Sequence, residues 1–235
     1  MNETLDQAFE ALKTYDWGQE TKLVEPIEAA IVASEGDAAQ RREIEARLVA
    51  VLQGDAPYDA KQYACRRLRV IGTAASVPAL AALLTDERLL HMGRFALERM
   101  PLAEAGDALR DALGKVNGKL KIGVISSLAT RDEAASVAPL AALLTDPDAA
   151  VARSTTQALG TIGSPAAAQA LTGGVSEGTK AAVAAALLVC AERALADGKR
   201  AEALLIYKGL AKDDQPKHVR LAAKRGMLAC AGRKE

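Results

Sequence analysis

Residues 74–86 read AASVPALAALLTD and residues 134–146 read AASVAPLAALLTD, so the same stretch returns with only one Pro and one Ala exchanged. Between these copies, residues 103–115 (AEAGDALRDALGK) align with the first copy at an offset of 29. Beyond them, residues 162–171 (IGSPAAAQAL) match residues 71–80 at an offset of 91, so a unit of 29–31 residues recurs four times. This period predicts stacked helical hairpins, because one short hairpin cannot bury its apolar side alone.

The repeated stretch has the spacing of an amphipathic helix. Its apolar residues fall at i, i+3, i+4 and i+7, namely Val77, Leu80, Ala81 and Leu84. We expect Ser76 to cap this helix, because its hydroxyl can accept a hydrogen bond from an unpaired backbone N–H. Pro78 and Pro139 are the exchanged prolines, and both are expected in the first helical turn. Backbone N–H groups in that turn have no acceptor within the helix, so a proline, which lacks the N–H, costs no hydrogen bond there.

Composition also favours helices over strands. Half of the 235 residues are apolar while only 3% are aromatic, and small aliphatic side chains suit closely packed helices better than a β-sandwich. We predict an all-α fold, a right-handed α-α superhelix of about fourteen helices with no strand. Residues 1–56 are expected to form an N-terminal helical cap, residues 57–178 the four repeats, and residues 179–235 further helices of one continuous solenoid.

Two stretches resemble a known repeat family. Residues 65–86 (CRRLRVIGTAASVPALAALLTD) and residues 152–171 (ARSTTQALGTIGSPAAAQAL) are similar to HEAT repeats of the short bacterial type, the phycobilisome-lyase HEAT-like repeats. The resemblance implies a HEAT-like solenoid whose second helices line a concave face. Further along, residues 198–216 (GKRAEALLIYKGLAKDDQP) resemble a tetratricopeptide hairpin, with Gly198, Ala203, Tyr207 and Pro216 as its small, aromatic and turn positions.

The HEAT resemblance also implies an Asp in each inter-repeat turn and an Arg on each first helix. The last copy keeps this pattern with Asp146, Asp148 and Arg153. The earlier copies have other residues where Arg153 stands, namely Gln62, His91 and Ile122. The Asp/Arg ladder of the family is therefore mostly missing, and we expect apolar packing to couple the repeats.

The charge is balanced overall but unevenly distributed. Acidic and basic residues number 30 each, which argues against a protein coated with nucleic acid. Residues 1–60 carry 13 acids and 5 bases (net −8), residues 61–176 carry 10 and 13 (+3), and residues 177–235 carry 7 and 12 (+5). The sequence has no signal-peptide pattern and no apolar run long enough for a membrane span, so we expect a cytoplasmic protein, taken to be a monomer.

The sequence offers no catalytic or metal-binding constellation, and we expect no enzyme and no cofactor. His91 and His218 are the only histidines and lie 127 positions apart. Cys65, Cys190 and Cys230 lie in helical runs without CxxC spacing, so buried free thiols are predicted. The glycines of residues 171–178 (LTGGVSEG) lack the Lys and Ser/Thr of a phosphate-binding loop and are read as a wide break between repeats. Two arginine clusters are expected on solvated faces: Arg41, Arg42 and Arg47, and Arg66, Arg67 and Arg69.

The candidate partner-binding residues lie where the repeats differ. Asp107, Arg110 and Asp111 stand on the second helix of one unit where the twin copies have Pro and Ala, and Gln169 stands there in the last unit. This makes a smooth trough with one mixed-charge spot, suited to a peptide or a helix. Trp17, the only tryptophan, is either an exposed anchor or, as we expect, packed between the first two helices.

The sequence therefore favours a non-catalytic scaffold or adaptor that binds a protein or peptide along the concave face. Two other interpretations stay open. One is an enzyme-associated HEAT protein of the bilin-lyase or DNA-glycosylase kind, the latter disfavoured by the balanced charge and few aromatics. The other is a structural spacer that recognises nothing.

Overall fold

The computed structural model describes residues 3–173 and 177–232, and within them the protein contains fourteen α-helices and no strand. The helices are α1 (Glu3–Leu12), α2 (Glu25–Ala33), α3 (Ala38–Gln53), α4 (Tyr58–Ile71), α5 (Val77–Ala82), α6 (Leu90–Arg99), α7 (Ala103–Ala112), α8 (Gly118–Arg131), α9 (Val137–Ala141), α10 (Ala149–Ile162), α11 (Pro165–Gly173), α12 (Lys180–Ala196), α13 (Arg200–Leu210) and α14 (Lys217–Cys230). The prediction of an all-α fold of about fourteen helices is confirmed for the described residues.

The helices form two compact units, Met1–Val116 and Asn117–Glu235. In the first unit, α4 packs against α3 and α6, while α5 packs against α6 and α7. In the second unit, α8, α10 and α12 pack in succession, α9 packs against α11, and α13 packs against α12 and α14. Each unit thus has a row of first helices and a row of second helices, as helical repeats require. The division into cap, repeats and C-terminal helices stays a prediction.

The twin stretches are the short second helices α5 and α9. Pro78 is the second residue of α5 and Pro139 the third residue of α9, so both lie in the first turn as predicted. The α-helix of the first copy ends earlier than its apolar spacing indicates, at Ala82, and continues as a 3₁₀ turn over Leu83–Thr85. The prediction for Ser76 is wrong: its hydroxyl donates to the Thr73 carbonyl at 2.9 Å and accepts no cap bond.

A buried carboxylate fixes the turn that leads into α5. Glu45 on α3 is only 3% exposed, and it accepts the backbone N–H of Thr73 at 2.7 Å and the Thr73 hydroxyl at 3.0 Å. The Thr73 hydroxyl in turn accepts the N–H of Ala75 at 3.2 Å. Since charged hydrogen bonds are the stronger ones, this network ties the start of α5 to α3. Asp37 caps α3 itself by accepting the N–H groups of residues 39 and 40.

Other ion pairs take the place of the Asp/Arg ladder that the HEAT resemblance implied for the second unit. Arg153 is exposed and forms no ion pair with another described residue. Asp146 instead pairs with Lys121 on α8 at 3.4 Å, and both side chains are largely buried. Arg193 on α12 donates to Asp132 at the end of α8 and to the carbonyl of Ile162 at the end of α10, the latter at 2.8 Å. One side chain therefore ties the C-terminal ends of α8 and α10 to α12.

The last two described helices form a close hairpin. Tyr207 on α13 is 2% exposed, and its ring lies against Gly226 on α14, where an added Cβ would stand 2.2 Å from the ring. Gly198 turns the chain before α13 with φ +78°, and Pro216 directly precedes α14. The hairpin is present at the expected place, while its tetratricopeptide character stays a prediction.

Candidate functional site

The candidate site is a groove between α5 and α7 in the first unit, with a volume of 280 Å³. One wall comes from α5 and the turn after it, through Val77, Pro78, Ala81, Leu84 and Thr85. The other wall comes from α7 and the residues after it, through Glu104, Asp107, Ala108, Asp111, Ala112 and Lys115. We name this feature the α5/α7 groove. It forms because the second helices of consecutive repeats pack side by side.

The α7 wall is acidic. Glu104, Asp107 and Asp111 are spaced i, i+3 and i+7, which places all three carboxylates on one helical face, and all three are exposed. Among the described residues that line the groove, Lys115 is the only base. Sequence reasoning identified Asp107 and Asp111 but missed Glu104, although the same spacing rule could have found it.

The α5 wall is small and largely apolar. Pro78 and Ala81 carry no charge and no long side chain, and the buried Leu84 closes the base of the groove. A wall of this kind lets a peptide backbone or a helix approach closely, while it offers few polar groups of its own. The groove therefore combines an apolar surface on one side with carboxylates on the other.

Arg110 does not line the groove, contrary to the prediction of a mixed-charge spot. It turns toward its own helix, where its Nη2 donates to Asp107 Oδ1 at 2.6 Å, and its side chain is only 15% exposed. Asp107 is thereby partly neutralised, whereas Glu104 and Asp111 form no ion pair with another described residue. The groove consequently presents a net negative charge rather than a balanced one.

The remaining predicted site residues lie elsewhere. Gln169 is exposed on α11 in the second unit and is not among the residues that line the groove. Trp17 is 90% exposed in the turn after α1, so the expected packing between the first two helices is wrong. The predicted break at residues 171–178 includes residues 174–176, which lie outside the described residues.

Several arginines of the first unit hold helices together, which corrects the prediction of solvated faces for members of both clusters. The Arg47 guanidinium on α3 lies 4.1 Å from the ring centre of Phe9 on α1 and pairs with Asp6 at 2.8 Å. Arg67 on α4 pairs with Glu28 on α2 at 2.7 Å. Cations placed over rings and beside carboxylates in this way stabilise packing, so these charges are already used within the protein.

A second cavity lies between α1 and α3 and was not predicted. It has a volume of 460 Å³ and is lined by the Phe9 ring, Arg47, Val51 and Asp55 among others. Phe9 and Arg47 are far apart in sequence, so no local pattern could place them together. Since the Arg47 charge is paired and the cavity holds no convergent set of unpaired groups, it does not define a reaction site.

The cysteines are buried free thiols, as predicted. Burial raises the pKa of the Cys65 thiol to about 12 and that of Cys190 to about 11, so both are protonated and poor nucleophiles near neutral pH. Burial and the neighbouring Glu28 carboxylate likewise raise the pKa of Tyr63. Among residues 3–173 and 177–232, no group of His, Cys, Asp and Glu has the arrangement of a metal site. No helix in this part of the chain is long and apolar enough to cross a membrane.

Stacked helical hairpins in rows of first and second helices define an α-helical repeat protein. Residues 106–192 match the family model for HEAT repeats, so this segment, which includes α8 to α11, is similar to HEAT repeats. No curated protein matches the chain. Among solved structures, the crystal structure of an engineered protein from a structural genomics consortium aligns with 99% of this chain and 98% of its own, at 18% identity and a TM-score of 0.40.

Proposed function

We propose that the protein is a non-catalytic binding module that holds a basic, partly apolar segment of another polypeptide in the α5/α7 groove. HEAT repeats form a scaffold suited to protein interaction, and the match of residues 106–192 to this family supports the coarser role. The acidic wall formed by Glu104, Asp107 and Asp111 is the single observation that supports a basic ligand.

The geometry supports this ligand class for two physical reasons. Carboxylates beside a groove attract Lys and Arg side chains, which raises the association rate and sets the orientation of the ligand. The Pro and Ala wall buries apolar side chains at about 25 cal/mol per Å² of surface removed from water. A helix with alternating basic and apolar positions satisfies both walls at once.

The alternative functions have no comparable support. A DNA backbone would meet the carboxylates of Glu104 and Asp111 in the groove, and like charges repel. A bilin-lyase-like role is supported by the resemblance alone. A purely structural spacer does not account for the acidic α5/α7 groove. The cytoplasmic location stays a prediction.

The test is a binding titration with a fluorescein-labelled synthetic helix that presents Lys and Leu on one face. Wild-type protein is compared with the groove variant Glu104→Lys/Asp111→Lys. The matched control is Glu35→Lys/Glu43→Lys, which changes the net charge equally at exposed positions outside the groove. We expect the groove variant to bind at least about tenfold more weakly than wild type at low salt.

Three outcomes separate the functions. Equal loss of binding in the groove variant and the control would attribute the effect to net charge and contradict the proposal. Retained binding in the groove variant would also contradict the proposal. Salt-sensitive binding of duplex DNA in place of the peptide would favour the glycosylase-like alternative.

A further inference from the structure

The exposed face of α14 carries leucines and lysines in a regular stripe. Lys217, Leu221, Lys224 and Leu228 follow the spacing i, i+4, i+7 and i+11, so they share one side of the helix. Leu221 is 53% exposed and Leu228 45% exposed. The opposite side of α14 packs inside the unit through buried residues such as Val219 and Ala223. We name the exposed stripe the α14 face.

The α14 face is basic as well as apolar. No residue of α14 is acidic, whereas the helix contains Lys217, Arg220, Lys224 and Arg225. Arg220 is already paired with Asp213 at 2.7 Å, but the two lysines of the stripe form no ion pair with another described residue. Exposed leucines beside cations mark a surface that binds a partially apolar, acidic partner.

The protein itself contains a surface of that chemistry. Residues 1–116, the first unit, carry 19 acids and 14 bases (net −5), while residues 117–235 carry 11 and 16 (net +5). Within the first unit, the α5/α7 groove has its carboxylates opposite an apolar wall. The two units therefore have opposite charge, and each presents one face that complements the other.

The spacing of the two faces also agrees. Glu104 and Asp111 are seven residues apart on α7, and Lys217 and Lys224 are seven residues apart on α14. Each pair spans about 10.5 Å along its helix axis. The groove volume of 280 Å³ gives space for leucine side chains beside the two ion pairs.

We infer that the α14 face of one molecule docks in the α5/α7 groove of a second copy. This inference rests on the proposed function of the groove and names its ligand. The contact joins two different surfaces, so the association is head-to-tail, and it extends to further copies unless the rotation between molecules closes a ring.

The experiment is sedimentation velocity over a concentration series of the full chain, at low and at high salt. We expect the weight-average mass to rise above the 24.5 kDa of one chain with concentration, and to fall back when salt screens the charges. Two variants reverse one face each: Glu104→Lys/Asp111→Lys in the groove, and Lys217→Glu/Lys224→Glu on α14. All four positions are exposed, and circular dichroism checks that each variant is folded.

The mixture of the two variants is the decisive measurement. Each variant alone carries like charges on both faces, so its association constant should fall at least about tenfold. In the equimolar mixture every groove meets an α14 face of opposite charge, and association should return. Leu221→Ser, with both charged faces intact, should also weaken association.

Several results would overturn the inference. These are a wild-type protein that stays monomeric throughout the series, variants that associate as wild type does, or a mixture that fails to recover. A monomer whose α14 face instead retains vesicles of anionic lipid would assign that face to a membrane surface. If the labelled Lys/Leu helix binds the groove while the chain stays monomeric, the self-association fails and the proposed function stands. If the labelled helix does not bind and the chain stays monomeric, both the self-association and the proposed function of the groove are contradicted.

Discussion

The Glu45–Thr73 network offers a quantitative test of how α5 is held. Glu45→Ala removes a buried carboxylate that accepts two donors of Thr73. A hydrogen bond to a charged group contributes about 1.5–3 kcal/mol, and the one lost methylene adds about 0.8 kcal/mol. Relief from burying the charge offsets part of this sum. We therefore expect the free energy of unfolding to fall by about 3 kcal/mol.

A double-mutant cycle separates the contribution of the hydrogen bond between the Glu45 and Thr73 side chains from the contribution of burying Glu45. Thr73→Val removes the hydroxyl but keeps the backbone N–H, and should cost about 1 kcal/mol. Because Glu45→Ala already breaks the same hydroxyl contact, the double variant should cost little more than Glu45→Ala alone. Urea unfolding followed by far-ultraviolet circular dichroism gives all four free energies. Amide exchange adds a local measure, since the Thr73 N–H should lose protection in Glu45→Ala.

Two results would refute this reasoning. If Glu45→Ala costs less than about 0.5 kcal/mol, the network does not hold the turn. If the two substitutions are additive, their side chains are not coupled. A loosened α5 should also weaken the binding of the labelled helix, because α5 forms one wall of the groove.

Three further predictions concern stability. Thr155 and Thr156 on α10 are both fully buried, but only the Thr156 hydroxyl has a partner, a carbonyl at 2.9 Å; Thr155→Val should therefore be more stable than Thr156→Val by about 1 kcal/mol in urea unfolding. Arg193→Met should lower stability by about 1 kcal/mol through the lost bonds at the helix ends. The exposed Arg153→Met should stay within about 0.5 kcal/mol of wild type, and equal effects would refute the role of Arg193. Because burial raises the pKa of Cys65 to about 12, the unfolded state releases its proton first as pH rises, so stability should fall above about pH 9, by up to about 1.4 kcal/mol per pH unit. Cys65→Ala should flatten this alkaline decline, and an unchanged slope would contradict the assignment.

Local patterns in the sequence predicted local structure well. The 29–31-residue period and the apolar spacing gave the helical hairpins and the burial of Val77 and Leu80. Pro78 lies in the first turn of its helix as expected, because first-turn chemistry depends on a few neighbouring residues. The sequence predicted the acidic α7 wall only in part: it indicated Asp107 and Asp111 but not Glu104.

What the sequence did not reveal depends on residues that meet only in the folded chain. Glu45 contacts Thr73 from 28 positions away, and Arg193 contacts Asp132 from 61 positions away. The conformation of the Arg110 side chain is a similar case. The sequence predicted that Arg110 contributes a positive charge to a mixed-charge spot, but its guanidinium donates to Asp107 on its own helix. Helical spacing predicts which residues share a face, but it does not predict which cation pairs with a neighbouring carboxylate.

The exposure of Trp17 has a practical consequence for spectroscopy. Indole emission reports the polarity around the ring, and the only tryptophan of this protein is already 90% exposed when folded. Its fluorescence should change little on unfolding, so a flat thermal or urea curve from this signal would be no sign of stability. The same property makes Trp17 a clean reporter of contact: a shift to shorter wavelength in the folded protein would show that another molecule covers the turn after α1.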